Sequence, residues 1–135
     1  RDAFAARFAA LSQSDVRAIE FESSASLGLG RQALAQLLAQ GMGPGTVLFC
    51  SSDQFAQGVL VEASARRLST PSDIAVIGFG DEEFAASTEP ALTTIRIDRQ
   101  RLGQVAANAI LDRFASTALR STYDIGFELV RRGSA

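Results

Sequence analysis

Apolar residues recur along this chain at two spacings, and the spacing changes several times. Phe4, Phe8 and Leu11 fall at helical intervals between Asp2 and Leu11, with helix-favouring alanines among them. Val16 to Phe21 is rich in β-branched and aromatic residues and predicts a short strand. After a serine-rich loop from Glu22 to Leu27, the stripe Leu34, Leu37, Leu38 predicts a helix from about Gly28 or Gly30 to Gln40. The run Gly41-Met42-Gly43-Pro44-Gly45 stops it, because glycine accepts left-handed geometry and proline cannot continue a helix. Thr46 to Cys50 is almost continuously apolar, the pattern of a strand covered on both faces.

Ser51-Ser52-Asp53 then opens a helix to about Leu68, with Phe55, Ala56, Val59, Leu60 and Ala63 as its stripe. A turn at Thr70 to Asp73 leads to the apolar strand Ile74 to Ile77, closed by Gly78-Phe79-Gly80-Asp81. Glu82 to Pro90 is irregular and acidic. Leu92 to Ile97 predicts a strand, and Asp98 predicts the cap of a long helix carrying Leu102, Val105, Ala106, Ala109, Ile110 and Phe114. Beyond a loop from Ser116 to Tyr123, Ile125 to Val130 predicts a last strand. The order α-β-α-β-α-β-β-α-β implies an α/β fold, a parallel sheet with helices on both faces. The chain has 135 residues, one domain's worth, and starts at Arg1-Asp2 without an initiator Met, which points to a fragment.

Composition narrows the chemistry. The formal charge is −2 with both signs interspersed, whereas a DNA-gripping face needs concentrated positive charge. Arg66-Arg67 and the trio Arg96, Arg99, Arg101 therefore read as solvated surface. There is no His, which removes the usual acid/base group at neutral pH and the Ser-His and Cys-His nucleophile pairs. Cys50 is the single cysteine, so no internal disulfide forms, and it reads as a buried strand residue. No apolar run approaches the ~20 residues that span a bilayer. No metal or cofactor is expected.

In open parallel sheets, ligands bind beyond the carboxyl ends of the strands. Glu22, Ser23, Ser24 and Ser26 follow the first strand, Ser51 to Gln54 the second, and Phe79, Asp81 and Glu82 the third. Asp53 is either a helix cap or, if Ser51 or Ser52 caps instead, a carboxylate open to two ligand hydroxyls. Gly28-Leu29-Gly30-Arg31-Gln32-Ala33 has the form GxGxxA, with Asp53 after the next strand, as a dinucleotide site would want. Its glycines do not follow a strand directly, however, since Glu22 to Leu27 intervene. Asp81, Glu82 and Glu83 could form an acid or metal cluster, but an exposed loop is the plainer reading.

Two segments carry a family resemblance. Val47-Leu48-Phe49-Cys50-Ser51-Ser52-Asp53-Gln54-Phe55-Ala56-Gln57-Gly58 resembles a strand followed by "ND-x-x-A-x-G". Pro71-Ser72-Asp73-Ile74-Ala75-Val76-Ile77-Gly78-Phe79-Gly80-Asp81, with Pro90 to Arg96 and Leu102-Gly103, resembles the C-terminal signature of LacI/GalR repressors. Gly80 stands where the family usually has Asp. That difference, with Phe84-Ala85-Ala86, resembles the gluconate-repressor branch.

The resemblance implies a non-enzyme: the C-terminal part, residues 1–135, of an effector-binding and dimerising domain of the type I periplasmic-binding-protein kind. The N-terminal lobe and the helix-turn-helix would lie outside this chain, and DNA would be met only through the latter. It implies a cytoplasmic homodimer and a sugar or sugar-acid effector, gluconate-like. The contacts would be Asp53, Ile97 and Arg99, with Ser24, Ser26, Phe79 and Arg1. Arg99 would suit an acid or phosphate. The helix after the second strand would contribute Val59, Leu60, Ala63 and Arg67 to the dimer interface. Half a cleft would bind effector weakly, and the stripe of helix 98–114 would need a cover from self-association or from the remaining sheet. A periplasmic sugar-binding protein and, less favoured, a Rossmann-type enzyme are the alternatives.

Overall fold

The computed structural model describes residues 6–8, 10, 17–22, 24–115 and 122–135. The elements in chain order are α1 (Leu27–Ala39), β1 (Thr46–Phe49), α2 (Asp53–Ala65), β2 (Ile74–Phe79), a short 3-10 helix (Glu83–Ala86), β3 (Thr93–Arg96), α3 (Arg99–Phe114) and β4 (Glu128–Val130). Side-chain oxygens set the three helix starts. Ser26 Oγ accepts from Leu29 N, Ser52 Oγ from Phe55 N, and Asp98 Oδ1 from Arg101 N, each satisfying an amide that has no partner within its helix. The sheet order is β1-β2-β3-β4. β1, β2 and β3 run parallel, while β4 is antiparallel to β3, pairing Thr94 with Val130 and Arg96 with Glu128. The expectation of a wholly parallel sheet is thus corrected at its last strand, since the apolar pattern of a strand carries no direction.

Alternation along β2 separates two faces. Ile74, Val76 and Gly78 point into the core, where they join Leu34, Cys50, Ala56, Val59, Leu60, Ala63, Ala85 and Leu92. The register places Val47 and Phe49 beside Ala75 and Ile77 on the opposite face. That face is open, with Val47 and Phe49 61% and 45% exposed. Helices α1 and α2 both serve the core face. They approach closely because Gly30 and Gly58 meet: a Cβ on Gly30 would overlap the carbonyl oxygen of Phe55, and one on Gly58 that of Leu27. Both GxGxxA glycines therefore lie inside a helix, and Gly30 packs against another helix, so they form no phosphate-binding turn.

Two further expectations change, while the first expected helix is met where it is described. Residues 17–21 form no strand among the described residues, although Phe21 packs its ring against Phe55 at a centroid distance of 6.0 Å. Residues 6–8 and 10 are helical, and Arg1 lies outside the described residues. Helix α3 buries none of its residues. Leu102, Ile110, Leu111 and Phe114 are exposed, so the apolar stripe is not folded onto the sheet. No described helix is long and apolar enough to cross a membrane.

Candidate functional site

β2 and β3 end side by side, and the chain leaving each of them borders an open cleft of about 590 Å³. Gly80 and Asp81 come from the end of β2, Arg96 to Arg99 from the end of β3, and residues 125–128 form the far wall. Gly80 has φ +131, a conformation that an L side chain rarely adopts. Its carbonyl accepts a hydrogen bond from Arg99 Nη2 at 2.9 Å. The same nitrogen reaches Glu82 Oε1 at 2.6 Å. Ile97 and Arg99 are thus brought to one cleft, with the guanidinium 61% exposed at its mouth.

Asp53 sits beneath this cleft and does not open into it. With Ser52 as the cap, Asp53 is the first residue of α2, and it is fully buried. Thr94 Oγ1 donates to its Oδ1 at 2.5 Å and Glu82 N to its Oδ2 at 2.7 Å. Gly78 leaves room for the carboxylate, since a Cβ there would overlap Oδ1. Freed from capping, Asp53 is closed over by β3 and by the loop after β2, so the residue expected to meet ligand hydroxyls does not line this cleft. Phe79 is partly exposed but does not line the cleft, nor do Ser24 and Ser26, whose loop leads into α1, where Ser26 is the cap.

Sequence reasoning missed the anchor of the cleft floor. Asp81 accepts from Arg96 Nε at 2.6 Å and from Arg132 Nη2 at 2.7 Å, while Arg96 also reaches Glu128 at 3.1 Å. Burial alone would raise the Asp81 pKa, but the hydrogen bonds and charges of Arg132 and Arg96 outweigh it and hold the carboxyl below its ordinary value. Arg132 Nη1 also donates to Leu92 O at 2.8 Å. Ser134, fully buried, bonds Val76 through both backbone and side chain. This polar tail has no apolar period to flag it. Arg96, read as solvated surface, is indeed exposed, but it lies on a strand and is ion-paired there to Asp81 and Glu128. Among the described residues no cluster of His, Cys, Asp or Glu could hold a metal ion.

Elsewhere, Cys50 directly follows β1 and lies in the core. Burial, then the charge of Asp53, push its thiol up to about 12. Glu62 links the two core-side helices, accepting from Arg66 Nε at 2.8 Å and Arg31 Nε at 2.9 Å. These two hydrogen bonds, Arg66's first, lower its pKa.

The expected interface residues Val59, Leu60 and Ala63 are at most 5% exposed and belong to this chain's own core. A helical stripe shows which residues are covered but not by what. Arg67 is exposed just past α2, at φ 60. The outward side of α2 instead presents Gln57, Val61 and Ser64, which form a groove with Thr88 and Glu89.

Residues 1–135, all of this chain, match the family described as "Periplasmic binding protein-like domain". The chain belongs to that family. Its relatives there are LacI-type transcriptional regulators. It is 41% identical over 110 residues to the HTH-type transcriptional regulator GntR of Pseudomonas aeruginosa, covering 81% of this chain and 32% of that protein. Identity to the HTH-type transcriptional repressor PurR of Erwinia tasmaniensis is 39% over 106 residues, covering 78% and 31%. Among solved structures, a lac repressor dimer bound to operator and the anti-inducer ONPF matches with a TM-score of 0.75 and 30% identity, over 81% of this chain and 38% of that one. The chain therefore spans about a third of the curated relatives it matches.

Proposed function

We propose that residues 1–135 are the C-terminal part of the effector-binding and dimerising domain of a cytoplasmic transcription repressor. Its effector is a sugar or sugar acid, gluconate-like in carrying a carboxylate. The chain is not an enzyme. The supporting observation is the cleft at the carboxyl ends of β2 and β3, where Ile97 offers an apolar wall and Arg99 an exposed guanidinium. A planar guanidinium suits a carboxylate or phosphate better than an uncharged ring. Asp53 supports the site from below instead of touching ligand. A partner lobe and the helix-turn-helix that contacts DNA belong to the other two thirds of the protein, as the span of the relatives suggests. The second copy of a homodimer sits on the outward side of α2, at Gln57, Val61 and Ser64. Ligand closure then alters the spacing of the DNA-binding heads through its differential affinity for two states.

The test is a thermal-shift comparison of matched ligands on the full-length protein. D-gluconate is expected to raise the melting temperature where D-glucose at the same concentration does not. Equal shifts from both, or stabilisation by glucose alone, would contradict the assignment of an acid.

A further inference from the structure

Arg99, Glu82 and Asp53 stand on three different elements and form one hydrogen-bonded line. Arg99, at the cleft mouth, donates to the Glu82 carboxylate at 2.6 Å. The backbone N–H of the same Glu82 donates to Asp53 Oδ2 at 2.7 Å. Asp53 begins α2, whose outward side lines the groove with Thr88 and Glu89. The ion pair alone adds little to stability, because Arg99 and Glu82 are 61% and 48% exposed. Its importance lies in where Glu82 leads. The loop around it is tightly specified, with Gly80 and Asp81 at positive φ and Asp81 held by Arg96 and Arg132. A shift of Glu82 therefore has few ways to be absorbed before it reaches the buried carboxylate.

We infer that Glu82 is a positioning residue that relays the state of Arg99 to the first turn of α2. A ligand carboxylate competes with Glu82 for the same guanidinium. That competition supplies the differential contact any ligand-driven shift requires. When Arg99 turns to ligand, Glu82 loses its side-chain anchor, its amide loosens from Asp53, and the start of α2 responds. The input of this relay rests on the effector reading above, but the hydrogen-bonded line itself needs no ligand to be tested.

The experiment is amide hydrogen exchange on the full-length protein, comparing wild type with Glu82→Ala, Arg99→Gln, the double variant and Glu82→Gln. Glu82→Ala keeps the backbone donor and removes only the anchor. The control is Arg66→Gln, which breaks the ion pair of Arg66 with the more buried Glu62 at the other end of α2. Both single variants are expected to speed exchange across residues 53–57 by roughly three- to tenfold, a range set by local opening equilibria. The double variant should match either single one, Glu82→Gln should fall between, and the control should leave residues 53–57 unchanged. Faster exchange confined to residues 80–86, or a double variant equal to the product of the singles, would overturn the relay. Gluconate added to wild type should mimic Glu82→Ala at residues 53–57. If gluconate fails to bind while the variants behave as stated, the effector reading falls and the relay stands.

Discussion

Replacing Asp53 by alanine removes two hydrogen bonds from a group with no solvent exposure. Hydrogen bonds to a charged group contribute about 1.5–3 kcal/mol each. Two considerations reduce the sum. The buried carboxylate gives back its own desolvation cost when removed, and the amide of exposed Glu82 can turn to water. Thr94 is fully buried and loses its short acceptor. The net cost is about 2–4 kcal/mol, with Thr94→Val alone costing about 1–2 kcal/mol by the same reasoning. The two share one bond, so the double variant should cost less than the sum of the singles by about 1 kcal/mol or more. Urea unfolding followed by circular dichroism measures this. At a slope of about 2 kcal/mol per molar, mid-range for small proteins, the Asp53→Ala midpoint should fall by roughly 1–2 M. A loss below about 1 kcal/mol, or strict additivity with Thr94→Val, would refute the claim that this carboxylate locks β3 and the loop after β2 to α2.

Four other outcomes follow from the same geometry. Gly58→Ala drives a methyl into the Leu27 carbonyl and should destabilise by about 1–2 kcal/mol, the overpacking cost less the gain in helix propensity. Gly103→Ala, with open space around it in α3, should be neutral or raise helicity by circular dichroism. Asp81 has a lowered folded pKa, so its contribution is complete above the unfolded value of about 4 and is lost as pH falls through the folded value. Asp81→Asn should flatten the urea midpoint's dependence on pH in that acid range and lower it at pH 7. Cys50, buried with its pKa pushed up to about 12, should react with a disulfide reagent at neutral pH only as fast as the protein opens, and rapidly in denaturant.

The core and the helix caps were legible because they follow local rules. Nearly continuous apolar residues at Thr46 to Cys50 and Ile74 to Ile77 marked β1 and β2, and Ser51-Ser52-Asp53 and Asp98 marked helix starts. Features that depend on distant partners were not legible. Asp53 stands where either a cap or a ligand contact could be, and only the approach of Thr94 and Glu82 from 41 and 29 residues away shows that its carboxylate is bonded within the fold while Ser52 caps the helix. Val59, Leu60 and Ala63 carried the right period, but the period cannot distinguish a neighbouring helix in the same chain from one in a second copy. Arg132 and Ser134 lie in a short polar tail whose role exists only because it returns beside Val76 and Leu92. The antiparallel direction of β4 was hidden for a similar reason, since a three-residue strand looks the same read either way.

Calorimetric titration of gluconate into the full-length protein and its Arg99→Gln variant bears most directly on the effector site. Saturable binding that weakens at least tenfold in the variant, and weakens with added salt, is the result the cleft geometry predicts. Equal affinity in the two proteins would mean that the guanidinium at the cleft mouth does not hold the ligand, and the sugar-acid assignment would fall with it.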